Sequence, residues 1–398
     1  MTVGDEKLKA AIDEALAPLI ADHRRYVAFS DPDGIPVART DLHYVYDQYN
    51  TERIDLTGTM IPVGHNHPFV TEAIKEHLRY YLRTGVVGEQ VLRWPVEYAA
   101  NLVKTFLDDP EDDEPRHQVL YTEGERDALL TAIQLAHQLR DGGIAAVDTR
   151  RYDWASAVMH GTITLLPPGE FWLHDFRWED KSCLVLSLAG EDGTLLDKRW
   201  VQEVADHAAR NGLILVVDET LTGFGRLGTM WGHQAYSITP DLVVVGGPFG
   251  GSLPLGAVIA EAETFSKLDV DHSPQAGSPV ACAAGAGVLR AINPGVLEHV
   301  KDAGADFGEA LRQLAGQFPE FLSAARGRGL WWVLEFHNPA LTARFVAEAR
   351  QHGLLMRQPE GTAVVVLTPP LIMSDIELRR CVDLMSETLL DWVEAPER

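Results

Sequence analysis

Cysteine is nearly absent from this chain, basic residues are outnumbered, and no apolar run is long. Of 398 residues only three are cysteine. Cys183, Cys282 and Cys381 stand far apart in no ligand spacing, which excludes a disulfide framework and a thiolate zinc site as organising features. Lysine and arginine number 34 against 58 aspartates and glutamates, a formal charge of -24. Such a surface repels polyanions, so nucleic acid and anionic membrane are excluded as partners, and the acidity reads as a device for solubility. No stretch reaches the length of a membrane-spanning helix. The opening MTVGDEKLKAAIDEALAPLI is charged and helical in pattern rather than signal-like, so a cytoplasmic location is expected. The last absence is local. The glycine-rich stretch PDLVVVGGPFGGSLPLGAVIA, Pro240 to Ala260, contains no lysine. This loop offers no amine.

What is present is an ordinary globular composition, 46% hydrophobic and 8% aromatic, on a chain long enough for two domains. Apolar residues fall at helical spacing in AIKEHLRYYL (Ala73–Leu82) and WPVEYAANLVKTFL (Trp94–Leu107), and the acidic, proline-broken LDDPEDDEPRH that follows reads as a solvated loop. Five β-branched runs then appear: HQVLYT, GGIAAVDT, SCLVLSLAG, GLILVVDET and PDLVVVGG. Helical segments such as RDALLTAIQLAHQLR and RWVQEVADHAARN separate several of them, the signature of parallel strands joined by crossover helices. Ligands of such sheets sit beyond the carboxyl ends of the strands, so Asp218, closing LILVVD, is aimed at a site. From about Ala291 the pattern becomes long helices with short strands, GLWWVLEF and AVVVLTPPL. The expected organisation is an N-terminal segment, 1–50, packing with the small domain; a large domain, 51–290, around a doubly wound α/β sheet; and a small α+β domain, 291–398.

The stretch GLILVVDETLTGFGRLGTMWGHQAYSITPDLVVVGGPFGGSLPLGAVIA resembles the class III (ornithine- and GABA-type) aminotransferases of the fold-type I pyridoxal-phosphate superfamily. YDQYNTERIDLTGTMIPVGHNHPFVTEAI is similar to that family's early strand pair and Gly-His-x-His-Pro turn, GSPVACAAGAGVLRAI to its Gly-Asn-Pro helix start, and ARGRGLWWVLEF with VLTPPLIMSDIEL to its C-terminal domain. The likeness runs over roughly residues 20 to 390 in order and spacing. It implies the fold-type I architecture, a mostly parallel seven-stranded sheet domain with a smaller α+β domain, and a homodimer with active sites at the subunit interface. His65 and His67 read as a turn before a helix rather than as metal ligands, and no metal is expected.

Carried over position by position, the resemblance singles out what this chain lacks. The lysine that binds the cofactor covalently and shuttles its proton falls at Gly247, between Gly246 and Pro248; the nearest lysine in sequence is Lys267. The Ser-Gly-Ser phosphate turn at a helix start becomes Gly124, Glu125 and Arg126, where Glu125 repels a phosphate and Arg126 attracts one. The partner subunit's phosphate-touching threonine falls at Pro274, beside Ser273. Asp218, which pairs with the ring nitrogen in the family, is kept, whereas the glutamine near the ring hydroxyl is Leu221 and the acidic strand end is Ser187. The arginine that grips a substrate carboxylate matches Val366, and the ring-stacking aromatic matches Tyr152.

Plain structural roles stand beside each of these. An aspartate ending a strand caps the next turn. Gly246, Gly247, Gly250 and Gly251 suit a tight turn, Thr222, Gly223 and Arg226 continue a loop, and Glu125, Arg126 and Asp127 suit a first-turn helix cap. Three functional expectations follow. The first is a repurposed, cofactor-independent biosynthetic enzyme, outside the standard aminotransferases, with no cofactor held. There Asp218, Glu125 and Glu219 do acid–base work, and Arg126, Thr220, Ser273 and the space at Gly247 receive a small molecule. The second is a non-catalytic subunit paired with an active aminotransferase. The third is an enzyme using pyridoxal or pyridoxamine phosphate bound non-covalently, with Asp218, Tyr152 and Thr222 as remnant contacts.

Overall fold

Seven short apolar runs lie side by side as one sheet. The computed structural model describes residues 3–26, 36–81, 91–106, 116–147, 163–169, 176–269 and 276–394. An N-terminal helix, α1 (Val3–Tyr26), precedes strands β1 (Val37–Asp41), β2 (Tyr44–Asp47) and β3 (Glu52–Asp55), then helices α2 (Pro68–Leu78) and α3 (Arg93–Val103). The large sheet is built from β4 (His117–Thr122), β5 (Gly143–Val147), β6 (Ile163–Leu166), β7 (Lys181–Ser187), β8 (Ile214–Asp218), β9 (Leu242–Val245) and β10 (Gly256–Glu261). Their order is β4-β10-β9-β8-β7-β5-β6. All neighbours from β9 through β8, β7 and β5 to β6 pair in parallel, and β10 alone runs against both of its neighbours. The reason is the connection. A parallel return needs a crossover of a dozen or more residues, usually helical. The 246–255 turn between β9 and β10 holds no such helix.

Helices cover both faces, which is why these strands read as continuous apolar runs rather than alternating ones. On one face α4 (Glu125–Leu139) lays Ala128, Leu129, Ala132 and Ile133 over Ile144, Val185, Val216 and Val244. On the other, α5 (Lys198–Arg210), N-capped by the Asp197 side chain, lays Trp200, Val201, Val204 and Ala208 over Ala145, Leu184, Leu186, Leu215 and Val217. The alternation of β7 and β8 between the two clusters follows from the pleat, which turns successive side chains to opposite faces. Cys183, Cys282 and Cys381 are free and buried.

The rest of the chain forms a short helix α6 (Gly232–Tyr236), then α7 (Pro279–Ala291), α8 (Pro294–Gln317), β11 (Leu322–Arg328), β12 (Trp331–Phe336), α9 (Pro339–Gln351), β13 (Leu354–Leu355), β14 (Val364–Leu367) and α10 (Asp375–Glu394). β11, β12 and β14 make an antiparallel sheet, and β13 joins β1, β2 and β3 by pairing in parallel with β3. Among the described residues no single helix is long and apolar enough to cross a membrane, although the bent pair α7 and α8, at 66°, passes that test together.

One side chain fastens the β8 loop to both small sheets. Arg226, 2% exposed, donates to the carbonyls of Gly58 (2.7 Å), Pro369 (2.6 Å) and Leu330 (3.1 Å). It fixes the segments before α2, between β11 and β12, and after β14 around the carboxyl end of the large sheet.

Candidate functional site

The carboxyl ends of β8 and β7 meet in register, with Asp218 opposite Ser187. Asp218 is 2% exposed, and its Oδ1 accepts from the Thr220 amide at 3.0 Å and from the Thr220 hydroxyl. This is the local cap that an aspartate makes two residues ahead in a turn. It also fixes the carboxylate at the strand end. Thr220 is therefore a positioning residue for Asp218. Ser187 donates to the Ala189 carbonyl at 2.7 Å, and Leu221 is buried in the apolar cluster beneath α5.

Beyond β9 the chain turns at once. Gly246 is followed by a short 3-10 turn, Gly247–Gly250, in which Gly247 has φ +57°. Two glycines are required here for different reasons. A Cβ at 246 would collide with the Cβ of Glu125, so the loop presses directly on the start of α4. At 247 the backbone is left-handed, a conformation in which glycine has no steric penalty. A Cβ at 247 would press on the Met60 Sδ at 3.0 Å, the end of a flexible side chain, and meet the Thr220 carbonyl at 3.4 Å. Lys267 does not fill the vacancy; it pairs with Glu263 at 2.8 Å on the surface. On α4, Glu125 is half-buried at the first position and Arg126 is exposed, while Asp127 accepts from the Glu123 amide at 3.0 Å. Gly124 stands at the N-cap, with no side-chain hydrogen bond to the first turn.

Two expected site residues are committed to the fold instead. The Glu219 carboxylate is 1% exposed and has four donors: the Thr222 hydroxyl (2.6 Å), the Gly232 amide (2.8 Å), the His233 amide (2.6 Å) and the His233 ring Nδ1 (2.9 Å). With its acceptor sites filled it is no acid–base group for a ligand, and Thr222, donating inward to it, is no cofactor contact. Both expectations are corrected by the same cause. Residues 218 and 219 are adjacent, so their side chains leave the strand end in opposite directions. Burial alone would push the Glu219 carboxyl up, but the hydrogen bonds and charge of His233, with those of Thr222 and the His233 backbone, hold it below its usual value. Its contribution to stability is thus present above the ordinary glutamate value of 4.5 and lost as pH falls through the folded one. Glu219→Gln is expected to cost roughly 2–4 kcal/mol at pH 7. Urea denaturation should show that difference narrowing as pH is lowered past about 4.5. An equal difference at both ends of that range would show that the carboxylate's charge is not what the fold uses.

Val366 lies 2% exposed in the same apolar cluster as Val333, as an aliphatic residue in this position should. His65 pairs with Asp55 at 2.9 Å, and His67 caps α2 through its ring nitrogen to the Phe69 amide at 3.3 Å, so both serve the turn. Tyr152, Ser273 and Pro274 lie outside the described residues. Three participants had no signal in the sequence: Met60, which flanks the vacancy at 247; His233, which saturates Glu219; and Arg226, whose carbonyl partners come from three distant segments.

The sheet order, with a strand-end aspartate, a glycine turn and a helix start gathered at one edge, defines the fold-type I pyridoxal-phosphate scaffold. Comparison with known proteins gives the same answer. The class-III aminotransferase pattern matches residues 184–389, more than half of the chain, and the protein belongs to that family. An acetylornithine aminotransferase of Corynebacterium efficiens is 28% identical over 357 residues, spanning 83% of this chain and 85% of the relative. A succinylornithine transaminase of Yersinia enterocolitica is 26% identical over 386 residues, spanning 87% and 90%. The crystal structure of acetylornithine aminotransferase from Elizabethkingia anophelis superposes with a TM-score of 0.81 at 17% identity, over 94% of this chain and 98% of that one, a likeness of fold.

These findings correct two expectations drawn from the missing lysine. A chain outside the standard pyridoxal-dependent aminotransferases, holding no cofactor, does not agree with relatives along most of its length that are named aminotransferases. Of the groups that would hold pyridoxal phosphate, Asp218 is buried, oriented by Thr220 and placed at the strand end. The start of α4 presents its positive dipole end together with the Glu125 side chain.

Proposed function

We propose that this chain is a pyridoxal-phosphate-dependent aminotransferase in which the cofactor is held by non-covalent contacts alone. The observation that carries the reading is Asp218, kept at the end of the central strand, 2% exposed and fixed by Thr220, beside a turn whose residue 247 is glycine. Asp218 would hold a proton on the pyridine nitrogen as its ion-pair partner, and the start of α4, the positive end of the helix dipole, would lie toward the phosphate. When bound, the cofactor would supply an electron sink. Gly246 lets the turn press against the start of α4, where an added Cβ would meet that of Glu125. The names of the relatives make an acylated ornithine the first amino donor to test.

The test is a visible-absorption and equilibrium-dialysis titration of the full chain with pyridoxal and pyridoxamine phosphate. Saturable binding that gel filtration strips off is expected. Asp218→Ala should weaken it roughly 10- to 100-fold, the equivalent of one lost charge-assisted hydrogen bond. Failure to saturate with either compound, or an unchanged affinity in Asp218→Ala, removes this reading.

A further inference from the structure

Helix α3 lies outside the large sheet, yet it is bonded to both loops that frame the site. Tyr98, fully buried in the middle of the helix, donates its hydroxyl to the Phe249 carbonyl at 2.7 Å, and the two rings lie 5.0 Å apart. Phe249 belongs to the 247–250 turn that follows β9. The turn's own backbone bonds are local, from the Phe249 amide to the Gly246 carbonyl (3.1 Å) and from the Gly251 amide to the Pro248 carbonyl (3.0 Å). Its carbonyl is wedged as well as bonded. A Cβ on Gly285 of α7 would stand 2.1 Å from the Phe249 oxygen and 2.7 Å from the Tyr98 ring. Burial pushes the Tyr98 pKa well above its usual value, so the hydroxyl remains a donor at any pH the fold survives.

The second bond comes from the other end of the helix, which closes in a 3-10 turn, Lys104–Phe106. The Thr105 hydroxyl accepts from the Trp231 indole at 2.8 Å and donates to the Leu102 carbonyl at 2.6 Å. The Gln234 side-chain amide donates to the Thr105 carbonyl at 3.2 Å, and the Phe106 ring stacks on that of Trp231 at 4.9 Å. Trp231 is the N-cap residue of α6, and the next two amides, of Gly232 and His233, are those that saturate Glu219. Glu219 directly follows Asp218. The start of α3 is itself held to β4, where the Tyr121 hydroxyl donates to the Pro95 carbonyl at 2.7 Å. A buried tyrosine satisfied by a carbonyl is ordinary core chemistry. What sets this helix apart is where its contacts end: one on the turn of residue 247, the other on the loop of Asp218.

We propose that α3 is a strut that fixes the 247 turn relative to the Asp218 loop, with Tyr98 and Thr105 as positioning residues for the cofactor. This rests on the cofactor reading given above, and the experiment separates the two. Two quantities are measured on the full chain, backbone amide exchange by mass spectrometry and pyridoxal-phosphate affinity by equilibrium dialysis. Tyr98→Phe keeps the ring and removes only the donor. It should speed exchange across 246–251 roughly 3- to 10-fold and weaken the cofactor by a similar factor, the equivalent of one hydrogen bond. Thr105→Val keeps the side-chain shape and strands the Trp231 indole, so it should speed exchange across 229–234 and weaken the cofactor likewise. Ser182→Ala is the control. It removes a comparable hydroxyl-to-carbonyl bond, to Gly143 at 3.1 Å, at the amino end of the large sheet, and should change neither quantity. Unchanged exchange at 246–251 in Tyr98→Phe overturns the proposal. So does faster exchange there with the wild type's cofactor affinity intact, or an equal loss of affinity in Ser182→Ala. Faster exchange at 246–251 confined to Tyr98→Phe, in a protein that never takes up pyridoxal phosphate, sustains the strut and removes the cofactor reading instead.

Discussion

Arg226→Leu should cost this protein roughly 3–5 kcal/mol of folding free energy, although the change removes a buried charge. Two effects oppose each other. Burial, with no ion pair to a carboxylate among the described residues, pulls the Arg226 pKa down from its usual value, a sign that the charge itself is costly where it sits. Deleting it relieves that cost. Against this, the carbonyls of Gly58, Leu330 and Pro369 all accept from one guanidinium. A leucine strands those of Leu330 and Pro369, at about 1–3 kcal/mol each where water cannot reach them, and leaves the Gly58 carbonyl only the Ile61 amide at 3.2 Å. The carbonyls belong to the backbone and cannot be substituted away, so the favourable outcome seen when whole buried ion pairs are replaced by apolar groups is not available here. Arg226→Lys separates the terms. It keeps the charge but cannot span three carbonyls, so it should destabilise at least as much as leucine. Urea denaturation followed by tryptophan fluorescence reads both. A leucine variant within 1 kcal/mol of the wild type would mean that the desolvation cost had been the larger effect.

The same residue shows where sequence reading stops. The five runs that became β4, β5, β7, β8 and β9 were legible because burial on both faces makes a parallel strand continuously apolar, and the helices between them showed their period. The placement of Asp218 followed from the chain alone, since the end of such a strand points at the ligand edge. Its neighbour Glu219 could not be assigned that way. Which of two adjacent carboxylates faces the site depends on donors at 232 and 233, and nothing in DETLTG announces them. Arg226 was read as a loop residue because its partners stand 104, 143 and 168 positions away. Local chemistry was readable, and long-range pairing was not. The one inference that misled, from a missing lysine to a missing cofactor, equated attachment with binding, which are separate physical contributions.

Gly247→Lys tests that separation, and its expected result is a change in kind: pyridoxal phosphate becomes resistant to gel filtration after borohydride reduction, where the wild type releases it. The backbone permits the substitution at a cost. Gly247 sits at φ +57°, which a lysine tolerates for roughly 1–2 kcal/mol. No backbone atom blocks the new side chain. The nearest atom is the Met60 sulfur at 3.0 Å, the end of a flexible side chain that is 46% exposed and free to swing outward. The Thr220 carbonyl at 3.4 Å is an ordinary contact. The new amine therefore emerges beside Thr220, which orients Asp218. Gly247→Gln carries the same backbone strain without an amine, and should keep the wild type's reversible binding. If the lysine variant retains no cofactor while the glutamine variant binds it normally, residue 247 does not face the cofactor's aldehyde, and the turn after β9 has been rebuilt rather than merely stripped of its lysine. If both variants lose binding, strain at 247 reaches Glu125 through Gly246, and the phosphate end of the site depends on that close approach.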